Sequence, residues 1–170
     1  GKTVFVVSGL RRSGNHACIN WIANSMMGQP CNPVKVHPKI FLYADGECVH
    51  LNEVNFEGAR NFVRLLRKAR RYVKAAKSVI ISLEDELSTR GQIYTPQKAK
   101  KIYVKRRILD TIASRITKNI EKAKRGIDRG DMNISPQTFE IHLKLMSLKK
   151  DRAFVWEYEN WLNDDEWRAV

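Results

Sequence analysis

The stretch from Thr3 to Met27 constrains this chain most, because it joins a strand to a helix through a turn bracketed by two glycines. Thr3-Val4-Phe5-Val6-Val7 is a short, β-branched, apolar run that stops at Ser8-Gly9. A run of this kind suits a parallel strand covered on both faces. Beyond the turn, Cys18, Ile19, Trp21, Ile22 and Met26 recur at helical spacing, which predicts a helix of about three turns starting between Gly14 and His16. Strand, Gly-x-x-x-x-Gly turn and helix together make an anion cradle. The helix start offers unpaired N–H groups and the positive end of its dipole to whatever sits in the loop.

The loop reads Gly9-Leu10-Arg11-Arg12-Ser13-Gly14-Asn15-His16. A magnesium-triphosphate loop would continue Lys-Ser/Thr, the lysine reaching the outer phosphates and the hydroxyl holding the metal. Asn15 and His16 stand there instead, and the cation comes from Arg11 and Arg12. The order Arg12-Ser13-Gly14-Asn15-His16 resembles the phosphosulfate-binding loop of the sulfotransferases: a basic residue, Ser, Gly, a small polar residue and another polar residue ahead of a helix. His16 takes the place of that family's Ser or Thr. The competing reading is a plain glycine turn between core elements, with its arginines solvated.

Charge points the same way. The chain has 170 residues, and its 31 Lys and Arg against 18 Asp and Glu give a formal +13. That excess implies an anionic partner: a nucleotide, a sulfated or phosphorylated polymer, nucleic acid or a membrane headgroup. With 43% hydrophobic and 29% charged residues the composition is that of a globular protein, and the length suits one domain, 1–170. Cys18, Cys31 and Cys48 form no Cys-x-x-Cys pair and no metal spacing with the histidines, so neither a disulfide framework nor a metal site is expected. A first strand starting at Thr3 and the lack of any long apolar run lead to the expectation of a cytoplasmic chain without a membrane span.

Further along, apolar runs at Ile40-Phe41-Leu42-Tyr43 and Cys48-Val49-His50-Leu51 flank an Asp-Gly turn and suggest a hairpin. His37 and His50 read as ordinary surface or half-buried histidines. Residues 58–77 form a strongly amphipathic helix. Phe62, Leu65, Leu66, Ala69, Tyr72, Val73 and Ala76 lie on one face, and Arg60, Arg64, Arg67, Lys68, Arg71 and Lys74 on the other. The basic face from Arg60 to Lys77 is either a solvated surface or a docking surface for an acidic acceptor. The next strand, Ser78 to Leu83, runs into Glu84-Asp85-Glu86, where ligands of open α/β sheets bind. In sulfotransferases acting on carbohydrates a strand ends in a glutamate that serves as general base. The resemblance therefore implies Glu84 as base, or Glu86 if the strand ends later.

A second motif follows the strand Ile102-Tyr103-Val104-Lys105. Arg106, Asp110 and Ser114 stand in the register of the sulfotransferase segment that binds the 3′-phosphate, an arginine at a strand end and a serine eight residues on. Ile108 occupies the place of a proline usual there. The helix after Arg106 is expected to bury Ile112, Ile116, Ile120 and Ala123. Another helix starts at Ser135-Pro136 with Phe139, Leu143 and Met146 as its apolar positions. A late strand over residues 153–159 is expected to lead into a helix starting at Asn163-Asp164-Asp165. The family's Gly-rich, basic closing segment has no counterpart, so a fragment or minimal variant is expected.

The expected fold is α/β, a three-layer P-loop NTPase-like domain with a mostly parallel central sheet. The resemblance implies transfer of a sulfuryl group from 3′-phosphoadenosine-5′-phosphosulfate to a hydroxyl or amine of a carbohydrate or similar acceptor, leaving adenosine 3′,5′-bisphosphate. It places Arg11, Arg12, Ser13, Gly14, Asn15 and His16 at the 5′-phosphosulfate, with Arg12 also acting in the transfer, and Arg106 and Ser114 at the 3′-phosphate. No metal is called for. The alternatives are a P-loop nucleotide kinase, against which the missing Lys-Ser/Thr stands, and a non-enzymatic nucleic-acid-binding domain. The latter is disfavoured because no recognised module appears and the aromatics of the basic helix lie on its apolar side.

Overall fold

A computed structural model describes residues 1–10, 14–54, 59–84, 98–126, 136–146 and 154–163. In chain order these form β1 (Thr3–Gly9), α1 (Asn15–Met27), β2 (Val34–His37), β3 (Ile40–Tyr43), β4 (Cys48–Leu51), α2 (Ala59–Ala75) and β5 (Ser78–Glu84). Then come β6 (Lys100–Lys105), α3 (Ile108–Lys124), α4 (Pro136–Met146), β7 (Phe154–Glu157) and α5 (Tyr158–Asn163). All seven strands join one sheet in the order β2-β3-β4-β5-β1-β6-β7. From β4 to β7 every pairing is parallel, and β3 and β2 add an antiparallel edge. The domain is thus α/β with a mostly parallel, mixed sheet.

Side chains alternate across a strand, so a run apolar at every position needs cover on both sides. Val6, Val79, Ile81 and Leu83 pack with Leu65 and Ala69 of α2. Val7, Ile80, Ile102 and Val104 pack in a separate cluster with Cys18, Ile19, Ile22 and Ala23 of α1. Handedness accounts for the two faces. The chain leaves β1 towards β4 in one direction along the sheet, whereas β4 to β5 and β6 to β7 run in the other, and right-handed crossovers in opposite directions cover opposite faces. The order therefore reverses at β1, and the crevice outside its carboxyl end is the place where such sheets bind ligands. Gly28, left-handed at φ 66°, ends α1.

Four features depart from the expectations. Val34–His37 is a strand that composition hides: it is mostly exposed, has a register shift between Lys35 and His37, and sits on the sheet edge. In α3 the buried positions are Thr111 and Arg115, while Ile116 and Ile120 are 46% and 51% exposed. The isoleucine stripe gives α3 its period but not its rotation, which buries Thr111 and Arg115 instead. In α4 Ile141 is buried, whereas Phe139 and Leu143 are exposed. Finally α5 starts at Tyr158, directly after β7, so Tyr158–Asn163 is already helical ahead of the expected start, whose Asp164 and Asp165 lie outside the described residues. Here Trp156, fully buried, and the rings of Tyr158 and Trp161 make one aromatic cluster, with ring centroids 5.3–6.0 Å apart. Packing of that cluster starts the helix earlier than the Asn-Asp-Asp signal.

The rotation of α3 is testable by denaturant unfolding. Ile80→Ala, in the fully buried centre of the sheet, should cost about 2–5 kcal/mol, and the half-exposed Ile116→Ala less than about 1 kcal/mol. Equal losses would mean that α3 buries its isoleucines.

Candidate functional site at the carboxyl end of the central strand

Register assembles the site. Gly9, the last residue of β1, lies opposite Glu84 of β5 on one side and Val104 of β6 on the other. Glu84 and the end of β6, Lys105 with Arg106 just after it, are therefore carried to the two flanks of the turn that follows β1. Gly14 ends that turn as the N-cap of α1, in the left-handed region at φ 99°, ψ 17°. No side chain caps this helix start and no acidic residue lies in its first turn. The positive end of the dipole thus has no internal counter-charge in that turn.

Gly14 is needed for space as well as for conformation. A Cβ there would lie 2.2 Å from Cδ2 of Tyr158. On the ring of Tyr158 rests the guanidinium of Arg106, 4.6 Å from the ring centroid, a cation–π contact. Turn, ring and cation form one stack that links the end of β1 to the end of β6. Beside it, Arg107 N–H donates to Glu159 Oε1 at 2.9 Å and Arg107 Nε to Asp110 Oδ2 at 2.7 Å, fixing the start of α3. A cleft of about 680 Å³ opens here, lined by Arg106, Arg107, His142, Glu157, Glu159 and others, within the size range of small-molecule sites.

On the other flank, Asn15 is buried, with Nδ2 3.5 Å from both the Leu10 carbonyl and Glu84 Oε1. Its side chain faces inward and tethers the first turn of α1 to β5. His16 is exposed and meets His50 edge-on, with centroids 6.1 Å apart. His50 belongs to a buried polar chain. Ser82 Oγ donates to Asn52 Oδ1 at 3.2 Å, so it accepts from His50 Nε2 at 2.9 Å and from the Glu53 N–H at 3.2 Å. Burial, then the nearby His16, lowers the His50 pKa from 6.5 to about 3. Cys18 is no nucleophile, since burial pushes its thiol up.

Of the residues singled out from sequence, Gly14, Asn15, Glu84 and Arg106 converge around the end of β1. Ser114 lies two turns into α3, half-buried between Thr111 and Arg115. Arg11, Arg12, Ser13 and Glu86 lie outside the described residues. Sequence reasoning missed Tyr158 as a site residue, because it reads as one more aromatic of the late strand expected over residues 153–159. It also missed the His50–Ser82–Asn52 chain, whose signal was one serine inside Val-Ile-Ile-Ser-Leu. Among the described residues no helix is long and apolar enough to cross a membrane, and no group of three His, Cys, Asp or Glu could hold a metal. No protein-family model, curated protein or solved structure matches the chain.

Two outcomes are expected. Gly14→Ala should destabilise by about 1–3 kcal/mol through its positive φ and the clash with Tyr158. Combined with Tyr158→Ala, the loss should fall short of the sum of the single losses by at least about 0.5 kcal/mol, because the smaller residue removes the clash. Strict additivity would contradict the stack. For His50 the folded pKa lies below the unfolded one, so the unfolded state binds the extra proton and stability falls as pH drops from about 6.5 towards 3. The contribution approaches about 1.4 kcal/mol per pH unit within that window. His50→Gln should flatten the stability–pH curve there by that amount; an unchanged slope would place the titration elsewhere.

Proposed function

We propose that the chain is a sulfotransferase of the P-loop class, transferring the sulfuryl group of 3′-phosphoadenosine-5′-phosphosulfate to a hydroxyl or amine. The observation that carries this reading is the convergence of three chemically distinct groups on the crevice at β1: the uncapped start of α1 at Gly14, the Arg106 cation across Tyr158, and the Glu84 carboxylate beside Asn15. A nucleotide with separate 5′-phosphosulfate and 3′-phosphate groups needs two cationic contacts some distance apart, and an acceptor hydroxyl needs a base between them.

In this reading Arg12 and the N–H groups of Ser13 to His16 hold the 5′-phosphosulfate and stabilise the leaving phosphate oxygen. Arg106 and Ser114 hold the 3′-phosphate, the guanidinium as a fork and the hydroxyl as a donor. Glu84 accepts the acceptor's proton as its oxygen or nitrogen bonds to sulfur. The bond from sulfur to the 5′-phosphate oxygen breaks, and adenosine 3′,5′-bisphosphate leaves with the electron pair. Asn15 acts as a positioning residue that holds Glu84 at the mouth of the crevice.

Calorimetric titration tests this directly. The chain should bind adenosine 3′,5′-bisphosphate at least about tenfold more tightly than adenosine 5′-monophosphate, roughly 1.4 kcal/mol for one bidentate arginine contact. Arg106→Ala should erase most of that preference, and Arg12→Ala should weaken both ligands together, by about 1.5–3 kcal/mol. Equal binding of the two nucleotides by the unmodified chain would overturn the assignment. A nucleotide kinase or a nucleic-acid binder should show no such preference.

A further inference from the structure

A second cleft, of about 470 Å³, lies between α2 and the β2–β3 edge, lined by His37, Lys39, Glu53, Arg64 and Lys68 over an apolar floor that includes Phe62 and Leu65. Among the described lining residues three cations, Lys39, Arg64 and Lys68, and an imidazole face one carboxylate, Glu53. Its position is set by the sheet: Ile40 pairs with Leu51, so Lys39 and Glu53 both stand just beyond the carboxyl end of β4. The cleft therefore opens on the same edge of the sheet as the crevice at β1.

The hydrogen bonding of His37 decides what the cleft can hold. The Lys39 backbone N–H donates to His37 Nδ1 at 3.2 Å, which makes Nδ1 the acceptor and puts the proton of the neutral ring on Nε2. Lys68 Nζ lies 3.4 Å from that same Nε2. An ammonium has only donors, so two donors face each other across a gap that neither can close. One acceptor atom bearing negative charge, set between them, satisfies both. Lys39 is held at the rim by donating from Nζ to the Glu53 carbonyl at 2.9 Å, and Glu53 adopts a left-handed φ of 48°. Its N–H in turn is held by Ser82. This rim is thus a built feature anchored to β5.

From this geometry we infer that the cleft is a second anion-binding site, separate in space from the one at β1, that takes a sulfate- or carboxylate-bearing saccharide ring. The anionic substituent bridges His37 Nε2 and Lys68 Nζ, with Arg64 beside them. The apolar face of the ring lies on the floor at Phe62 and Leu65. The volume suits one or two sugar rings, within the range of small-ligand sites. A single-stranded nucleic acid would call for a series of stacking aromatics along a basic groove, and among the described residues that line this cleft Phe62 is the one Phe, Trp or Tyr. The inference stands on the cleft alone and does not require the chain to be a sulfotransferase.

The test is titration of the full chain with a defined disaccharide carrying one sulfate and one carboxylate. Its uncharged parent and a short single-stranded oligonucleotide serve as comparisons. The charged disaccharide should bind, and the parent should bind at least about tenfold more weakly. Lys68→Ala and Arg64→Ala should each weaken binding about tenfold, and His37→Phe about fivefold, while Arg67→Ala, which removes the same charge from the same helix outside the cleft, should change it less than about twofold. Adenosine 3′,5′-bisphosphate should not compete. Equal losses for Arg67→Ala and Arg64→Ala would mean a diffuse basic face and overturn the site, as would tighter binding of the oligonucleotide. Competition by the bisphosphate would place the disaccharide at β1 instead. Failure of the bisphosphate to bind at all would count against the sulfotransferase reading and leave this one standing.

Discussion

The parallel pairing of β1 with β5 on one side and β6 on the other is the constraint on which the remaining architecture depends. One strand of seven residues is hydrogen-bonded along both edges and covered on both faces, so the direction and register of its neighbours follow from it. That register brings a glycine, a carboxylate and a cationic strand exit to one end of the sheet. Because the crossover direction reverses at the same strand, α1 and α2 fall on opposite faces and leave a crevice between their approaches. Loss of β1 would remove the reference for every site element at once.

Support beneath this crevice is polar as well as apolar. Asn15, His50, Asn52 and Ser82 are buried; Asn15 ties the first turn of α1 to the end of β5, and His50, Ser82 and Asn52 tie the end of β4 to β5. Buried polar groups are costly unless satisfied and, when satisfied, they specify one arrangement over its near alternatives. Here the chain from His50 through Ser82 to the Glu53 amide connects the crevice at β1 with the basic cleft at α2. The two sites share a structural member, so substitution at Ser82 should be felt in both.

Much of this was legible in the residues. The apolar run of Thr3 to Val7, the glycine turn and the period of Cys18, Ile19 and Ile22 specify strand, turn and helix because each is a local pattern with a local cause. The same holds for Ser78 to Leu83, for Ile102 to Lys105, and for the amphipathic helix over α2. The candidate residues Gly14, Glu84 and Arg106 were also legible, as a turn glycine and two charged strand exits. Their mutual placement was not, since it rests on a strand order that no local pattern encodes.

What the sequence by itself determined, then, is the kind and period of the elements and the positive charge that calls for an anion. Only the tertiary structure decided how each helix is rotated and which distant residues meet. The isoleucines of α3 repeat at helical spacing, yet Thr111 and Arg115 are the residues buried, because rotation is chosen by the surface a helix closes on. Tyr158 reads as one more aromatic in a late strand; folding sets its ring against Gly14 and under Arg106. His37 and Lys68 are 31 positions apart, and their meeting is a contact of chain topology. Periodicity reports the forces within an element, whereas such meetings depend on the free energy of packing whole elements against one another.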